Sequence, residues 1–271
     1  MNHLSSTSQN VLLYVVTVLI LGSSWLAIKY PLGRRLMHFS LRDHAFMFLQ
    51  GASLFALNYW LFYVSELTLT SGLAAVIFST IVVMNLLNGA IFLKNRLEIR
   101  VIAGAFIGLL GIMLVFWPEV TDFESGSENL FAAALAVLAT FLASIGNIAS
   151  ARNQRAGIPV VQANTFGMTY GALLMLGLSW ATGREFTFEL TLPYVSSLSF
   201  LSVFASIIAF WSYLTLLGRV GVERAAYATL IFPLVALGIS TIFEGYQWTA
   251  YAGIGILLIL AGNLLILKRP T

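Results

Sequence analysis

The sequence contains no cysteine in 271 residues, which excludes disulfides and thiolate metal sites. Charge is scarce: Asp, Glu, Lys and Arg make up 9% of the chain, against about 25% in an ordinary soluble domain. No Asp or Glu falls near the middle of a long apolar run, and His3, His38 and His44 all lie outside the centres of those runs. Proton-coupled exchangers usually carry a titrating group at that depth, so the expectation is a facilitator, or coupling without a midplane carboxylate. His-Glu-x-x-His and paired midplane carboxylates are missing, which argues against an intramembrane enzyme. Without a Gly-x-x-x-x-Gly-Lys-Ser/Thr loop the chain itself is not expected to use ATP, and no cofactor or metal is expected. Met1 to Asn10 carry no Lys or Arg, so the basic start of a cleaved leader is lacking and Val11–Ile28 reads as a retained helix.

What is present is apolar length. The composition is 59% hydrophobic with 22 glycines, more apolar surface than a soluble core of this size could hide. A spanning helix needs about 20 mostly apolar residues. Nine stretches qualify: Val11–Ile28, His44–Leu67, Ser71–Leu93, Val101–Trp117, Asn129–Ser150, Val160–Ala181, Leu192–Leu217, Val222–Phe243 and Trp248–Leu267. Turn and charge signals separate them, among them Pro31, Thr70-Ser-Gly72, Lys94-Asn-Arg96, Pro118, Gly157-Ile-Pro159, Gly183, Gly218 and Gly245. The expected fold is therefore all-α: a polytopic membrane protein of about nine transmembrane helices.

Cations set the orientation, because cytoplasmic loops are enriched in Lys and Arg. Of the 14 cations, all but Arg184 fall on alternate loops of one set, at 29–42, 94–100, 152–155, 219–224 and 268–269. Glu66, Glu119, Asp122, Glu124, Glu128, Glu185, Glu189 and Glu244 fall on the other side. This predicts a multi-pass protein of the cell membrane, with a cytoplasmic C-terminus and the N-terminus outside. The expected partners are the lipid bilayer and a small-molecule substrate, with no nucleic acid.

Two segments share a plan. Ser71–Phe116 and Gly221–Leu267 each hold a helix with a central Thr (Thr80, Thr229), a short break, and a Gly-spaced helix (Gly104, Gly108, Gly111; Gly253, Gly255, Gly262). In the predicted topology the two run in opposite directions, the inverted-repeat arrangement of many secondary transporters. The residues Gly22-Ser-Ser-Trp25-Leu-Ala-Ile-Lys29, Ala56-Leu-Asn58-Tyr59, Ser71-Gly-Leu-Ala-Ala-Val76, Leu97-Glu98 and Gly104 to Pro118 follow in an order that resembles the drug/metabolite transporter superfamily, in its EamA-type branch. Ala225 to Pro233 and Gly253 to Gly262 fit the same template.

The resemblance implies two inverted five-helix repeats and export or exchange of small metabolites, in a bacterial inner membrane. This sequence departs from that plan. Lys29 to Arg42 is too short to span a bilayer, so the second helix of the family plan is missing and the repeats become four plus five helices, 1–120 and 128–271. Keeping the basic loop inside then forces the first helix to enter from outside or to insert poorly. The functional expectation is a secondary-type transporter (exporter or facilitator) of small metabolites such as amino acids or amphipathic compounds, by alternating access. A non-transporting scaffold or receptor, or a transport-defective relative, stays open beside it.

Polar and aromatic residues at helical spacing are the candidates for the substrate path: Trp25, Asn58, Tyr59, Asn85, Ser144, Asn147, Trp211, Tyr213 and Tyr227. Further polar stripes are Asn58/Phe62/Ser65, Thr140/Ser144/Asn147, Gln162/Thr165/Thr169 and Ser202/Ser206/Tyr213. Each residue reads either as lumen or as interhelical glue worth about 1 kcal/mol per bond. Aromatic faces could hold an apolar body or a cation; Trp117 and Trp248, at helix ends, read as lipid-belt residues. Glu66 and Glu223 read as interfacial charges. Pro233 removes a backbone donor inside a helix and is the candidate gating kink. Gly104-x-x-x-Gly108 and Gly167-x-x-x-Gly171 suit close helix packing and permit a homodimer.

Overall fold

A computed structural model describes residues 39–123, 126–183, 191–243 and 249–267. The expected first helix, Val11–Ile28, and Trp25 within it lie outside the described residues. So do Trp248, Glu244 and the basic positions 29–35 and 268–269. Every described element is helical.

The remaining expected stretches each form a helical rod. We label them α1 (Leu41–Ser65), α2 (Ser71–Leu93), α3 (Ile99–Val115), α4 (Ser127–Arg155), α5 (Val160–Ala181), α6 (Leu192–Val220), α7 (Val222–Ala225 continued by Tyr227–Phe243) and α8 (Ala250–Leu267). The rods α1, α2, α4 and α6 are long and apolar enough to cross a membrane; α3 and α8 are shorter apolar helices. Their starts carry ordinary helix chemistry. The Ser40 hydroxyl accepts from the Asp43 amide at 3.2 Å, and the Thr70 hydroxyl accepts from the Leu73 amide at 3.3 Å. Gly221, at φ +93°, makes the one-residue turn between α6 and α7 that a side chain would strain.

Two rods carry π-helical stretches. Gly51–Leu57 in α1 and Leu201–Ala209 in α6 are wound as π-helix. Such turns leave the ordinary hydrogen-bond ladder mismatched and recur at functional sites. The helix α2 breaks at Thr80, whose hydroxyl donates back to the Ile77 carbonyl at 2.6 Å. Pro233 falls within the continuous stretch Tyr227–Phe243.

Glycines decide the closest packing. A Cβ on Gly111 would sit 2.6 Å from the Gly255 carbonyl oxygen, and one on Gly104 would sit 2.9 Å from that of Gly262. The helices α3 and α8 thus cross antiparallel with backbones in contact, as small residues allow. In α1 and α5, a Cβ on Gly171 would lie 3.0 Å from the Gly51 carbonyl oxygen, and Gly167 packs on Met47 and Phe55. Both glycine motifs singled out for close approach are therefore occupied within one chain. Large apolar side chains such as Phe106, Leu110, Leu173, Leu257 and Leu264 point outward, an inversion of the soluble pattern that lipid accepts.

Candidate functional site

The rods alternate in direction, so their joints collect at two ends. One end gathers 93–98, 152–155 and 219–224, which carry most of the described cations; the other gathers 66–70 and 116–123, with Glu66, Glu119 and Asp122.

A cavity of about 540 Å³ begins at the acidic end and reaches past the middle of the bundle. The helix α1 contributes Leu54, Asn58, Tyr59, Phe62, Tyr63 and, just beyond its last turn, Glu66. The helix α2 contributes Ser71, Ala74, Ala75, Phe78 and Ile81 across from them. The floor is Ala143 and Asn147 of α4, with Ala209, Phe210 and Tyr213 of α6 and Thr229 and Phe232 of α7. Small residues on α2 and α4 leave the space, and aromatic rings wall it.

Polar groups are few and deep. The Asn147 amide donates to the Tyr213 hydroxyl at 3.2 Å, while its own carbonyl oxygen is buried without a partner. The Asn58 carbonyl oxygen is likewise buried and unpartnered. Fully buried Asn85 lies close to the same Tyr213 hydroxyl without completing a bond of proper geometry. Leaving a buried amide oxygen unmade costs about 1–3 kcal/mol, and the oxygens of Asn58 and Asn147 belong to residues that line the cavity. Glu66 is exposed at the mouth, outside the spanning segment; its partly apolar surroundings push its carboxyl up from the usual carboxylate range.

Several expected path residues lie elsewhere. Ser144 accepts from the Asn88 amide at 2.8 Å and joins α4 to α2. The Tyr227 hydroxyl donates to the Val101 carbonyl at 2.8 Å, and its ring packs near Gly108. Trp211 is 46% exposed and faces away from the cavity, because residue 210, not 211, falls on the inward side of α6. Among the residues not proposed for the path, Glu66, Tyr63 and Phe78 line it. The spacing Asn58, Phe62, Glu66 continues one helical face, a signal that carries beyond the end of the apolar run.

The basic end is shut. Arg155 donates to the Leu93 carbonyl at 2.9 Å and to the Asn95 side-chain oxygen at 2.6 Å, and the Asn95 amide donates to Glu223. Arg224 pairs with both oxygens of Glu98 at 2.9 and 3.0 Å. The Gln154 amide reaches the Leu214 carbonyl at 2.9 Å. Deeper in, a buried amide chain links α4, α1 and α5: Asn153 donates to Gln50 at 3.1 Å, and Gln50 donates to Asn164 at 2.9 Å. Arg152 pairs with Asp43 at 2.8 Å and lies 4.1 Å over the Phe46 ring. Among the described residues, no three His, Cys, Asp or Glu side chains stand together to hold a metal.

Residues 130–268 match the model of the EamA-like transporter family. The chain belongs to the EamA-like transporter family. Relatives of this transporter include protein PagO of Salmonella typhimurium, 23% identical over 283 aligned positions that cover 94% of this chain and 92% of PagO. A probable amino-acid metabolite efflux pump of the same organism is 23% identical, over 75% of this chain and 69% of the pump. A crystal structure of another protein superposes with a TM-score of 0.79 at 17% identity, over 97% of this chain and 89% of that one, a likeness of fold alone. Family membership and the apolar helices make this chain an integral membrane protein and a membrane transporter; the family's description and the efflux pump's name are those of transporters rather than enzymes.

Proposed function

We propose that this transporter is a secondary-type exporter or facilitator of small amphipathic metabolites, working by alternating access between two inverted repeats. The observation that carries the proposal is the cavity itself. It is open toward the acidic end, reaches beyond the middle of the bundle, and is closed at the basic end by polar contacts between α2, α4 and α7. Its walls come from both halves of the chain.

The element spacing supports a repeat. Helical segments start at Leu41, Ser71 and Ile99, and again at Leu192, Val222 and Ala250, a constant offset of 151 positions. The two π-helical segments fall at nearly the same offset, and each adjoins the cavity, through Leu54 and Ala209. Equivalent rods run in opposite directions, so rocking one half against the other would close the acidic mouth and open the basic end. In this reading the basic end, with the C-terminus, faces the cytoplasm of a bacterial inner membrane, and the units are 1–120 and 128–271.

The family resemblance and the efflux-pump name of one relative favour export of small metabolites. Purified protein in liposomes tests the function. Saturable, protein-dependent flux of an amphipathic metabolite is the expected result. Flux that never saturates for any solute in a broad panel would leave a non-transporting scaffold. Flux that stops completely when the pH gradient is dissipated would instead show obligatory proton coupling.

A further inference from the structure

We infer that the cavity selects a protonated amine on an aromatic body and discriminates against the matching zwitterionic amino acid. The inference rests on the reading that this cavity is the solute's path, and it adds the chemical class of the solute.

Charge in the cavity has one sign. Among the described residues that line it there is no Lys, Arg or His, and the only carboxylic acid is Glu66 at the mouth. An ammonium group entering there meets an attractive carboxylate. A carboxylate entering meets repulsion and then finds no cation to replace its hydration. Burying an unpaired carboxylate is strongly unfavourable, so a zwitterion loses on one group what it gains on the other.

Deeper in, the unmet hydrogen-bonding capacity has the same preference. The two buried oxygens without partners that belong to cavity-lining residues are the side-chain carbonyls of Asn58 and Asn147. Both are acceptors, covered by neighbouring side chains in this state, and a solute that reaches them must bring a donor. An ammonium brings three N–H bonds and no acceptor, which suits two amide oxygens on different helices. In the structure the Asn147 amide is committed to the Tyr213 hydroxyl at 3.2 Å, which leaves its oxygen as the unused group. Around these atoms Phe62, Phe78, Phe210 and Phe232 present rings, which pack an aromatic body and attract a desolvated cation.

The test is binding to the full chain in detergent, measured by calorimetry, with three solutes on one skeleton: 2-phenylethylamine, its N-acetyl derivative and phenylalanine. The amine should bind at least about tenfold more tightly than either of the others, the loss expected when a charge-assisted hydrogen bond is removed or an unpaired charge is buried. Asn147→Leu and Asn58→Leu should each weaken the amine about fivefold or more and leave the N-acetyl compound little changed. Should a leucine variant fail to fold, Asn147→Ser and Asn58→Ser, which keep a small polar group, carry the same expectation. Glu66→Gln should weaken the amine several-fold and not the neutral compound. Phenylalanine binding as tightly as the amine, equal binding of amine and N-acetyl compound, or no binding of any of the three would each overturn the inference. Liposome flux of another solute decides the transporter reading separately.

Discussion

The two ends of the bundle solve opposite problems with different residues. At the acidic end, small residues of α2 face aromatic rings of α1, and a cavity opens between them. At the basic end, arginines, amides and carboxylates from α2, α3, α4 and α7 bind one another across the helix joints. The lesson is one of reversibility. An apolar, ring-lined wall can close on a solute or on itself with little change in hydrogen bonding. A water-accessible polar latch can be exchanged for water at small net cost, because exposed ion pairs contribute only about 0–1 kcal/mol each. A transporter that alternates needs both faces to be marginal.

Three changes should break or sharpen that contrast. Filling the open side should have the largest effect. Ala75→Phe places a ring in the cavity wall, and flux should fall about tenfold or more, since a steric penalty of about 1.4 kcal/mol suffices. Thermal stability should change little because the side chain enters empty space; unchanged flux would mean that the solute takes another route.

Weakening the latch comes next. In Arg155→Ala with Glu223→Ala, Asn95 loses both its partners across the joint. A single cysteine placed at Ala143, in the cavity floor, reports the result with an impermeant maleimide applied from the basic side, and the native chain has no cysteine to interfere. Labelling should rise about fivefold, the shift that about 1 kcal/mol gives a two-state equilibrium. Labelling that does not rise would show that the buried Asn153–Gln50–Asn164 chain, and not the surface latch, keeps this end shut.

The smallest effect concerns Glu66. The carboxyl is pushed up by its partly apolar surroundings. A raised carboxyl favours the protonated form in the folded state. The folded protein therefore pays no penalty while Glu66 is protonated, and loses stability as pH rises from the ordinary carboxylate range through the raised value. Glu66→Gln should match the native protein in melting temperature at acid pH and exceed it slightly at neutral pH. A gap that narrows with rising pH would show that Glu66 is instead stabilised as a carboxylate.

Much of the site is legible in the sequence, and the misses follow a pattern. Asn58, Tyr59, Asn147 and Tyr213 stand out as polar or amphipathic residues in apolar helices, and all four line the cavity. Trp211 is chemically as plausible as Tyr213, but its angle about α6 depends on π-helical winding at Leu201–Ala209, which shifts the inward face. Ser144 and Tyr227 are polar for a different reason, since each satisfies a neighbouring helix. A sequence pattern marks a polar residue and does not say which partner it meets.

The sequence by itself determined the membrane character, the helical lengths and the segregation of charge, because each depends on local composition and on the thickness and polarity of a bilayer. Tertiary structure alone decided which glycines touch, which amide oxygens are left without donors, and which end is closed. Those are properties of residues far apart in the chain, such as Asn95 with Glu223 and Gly111 with Gly255. Such distances are set only when the rods pack.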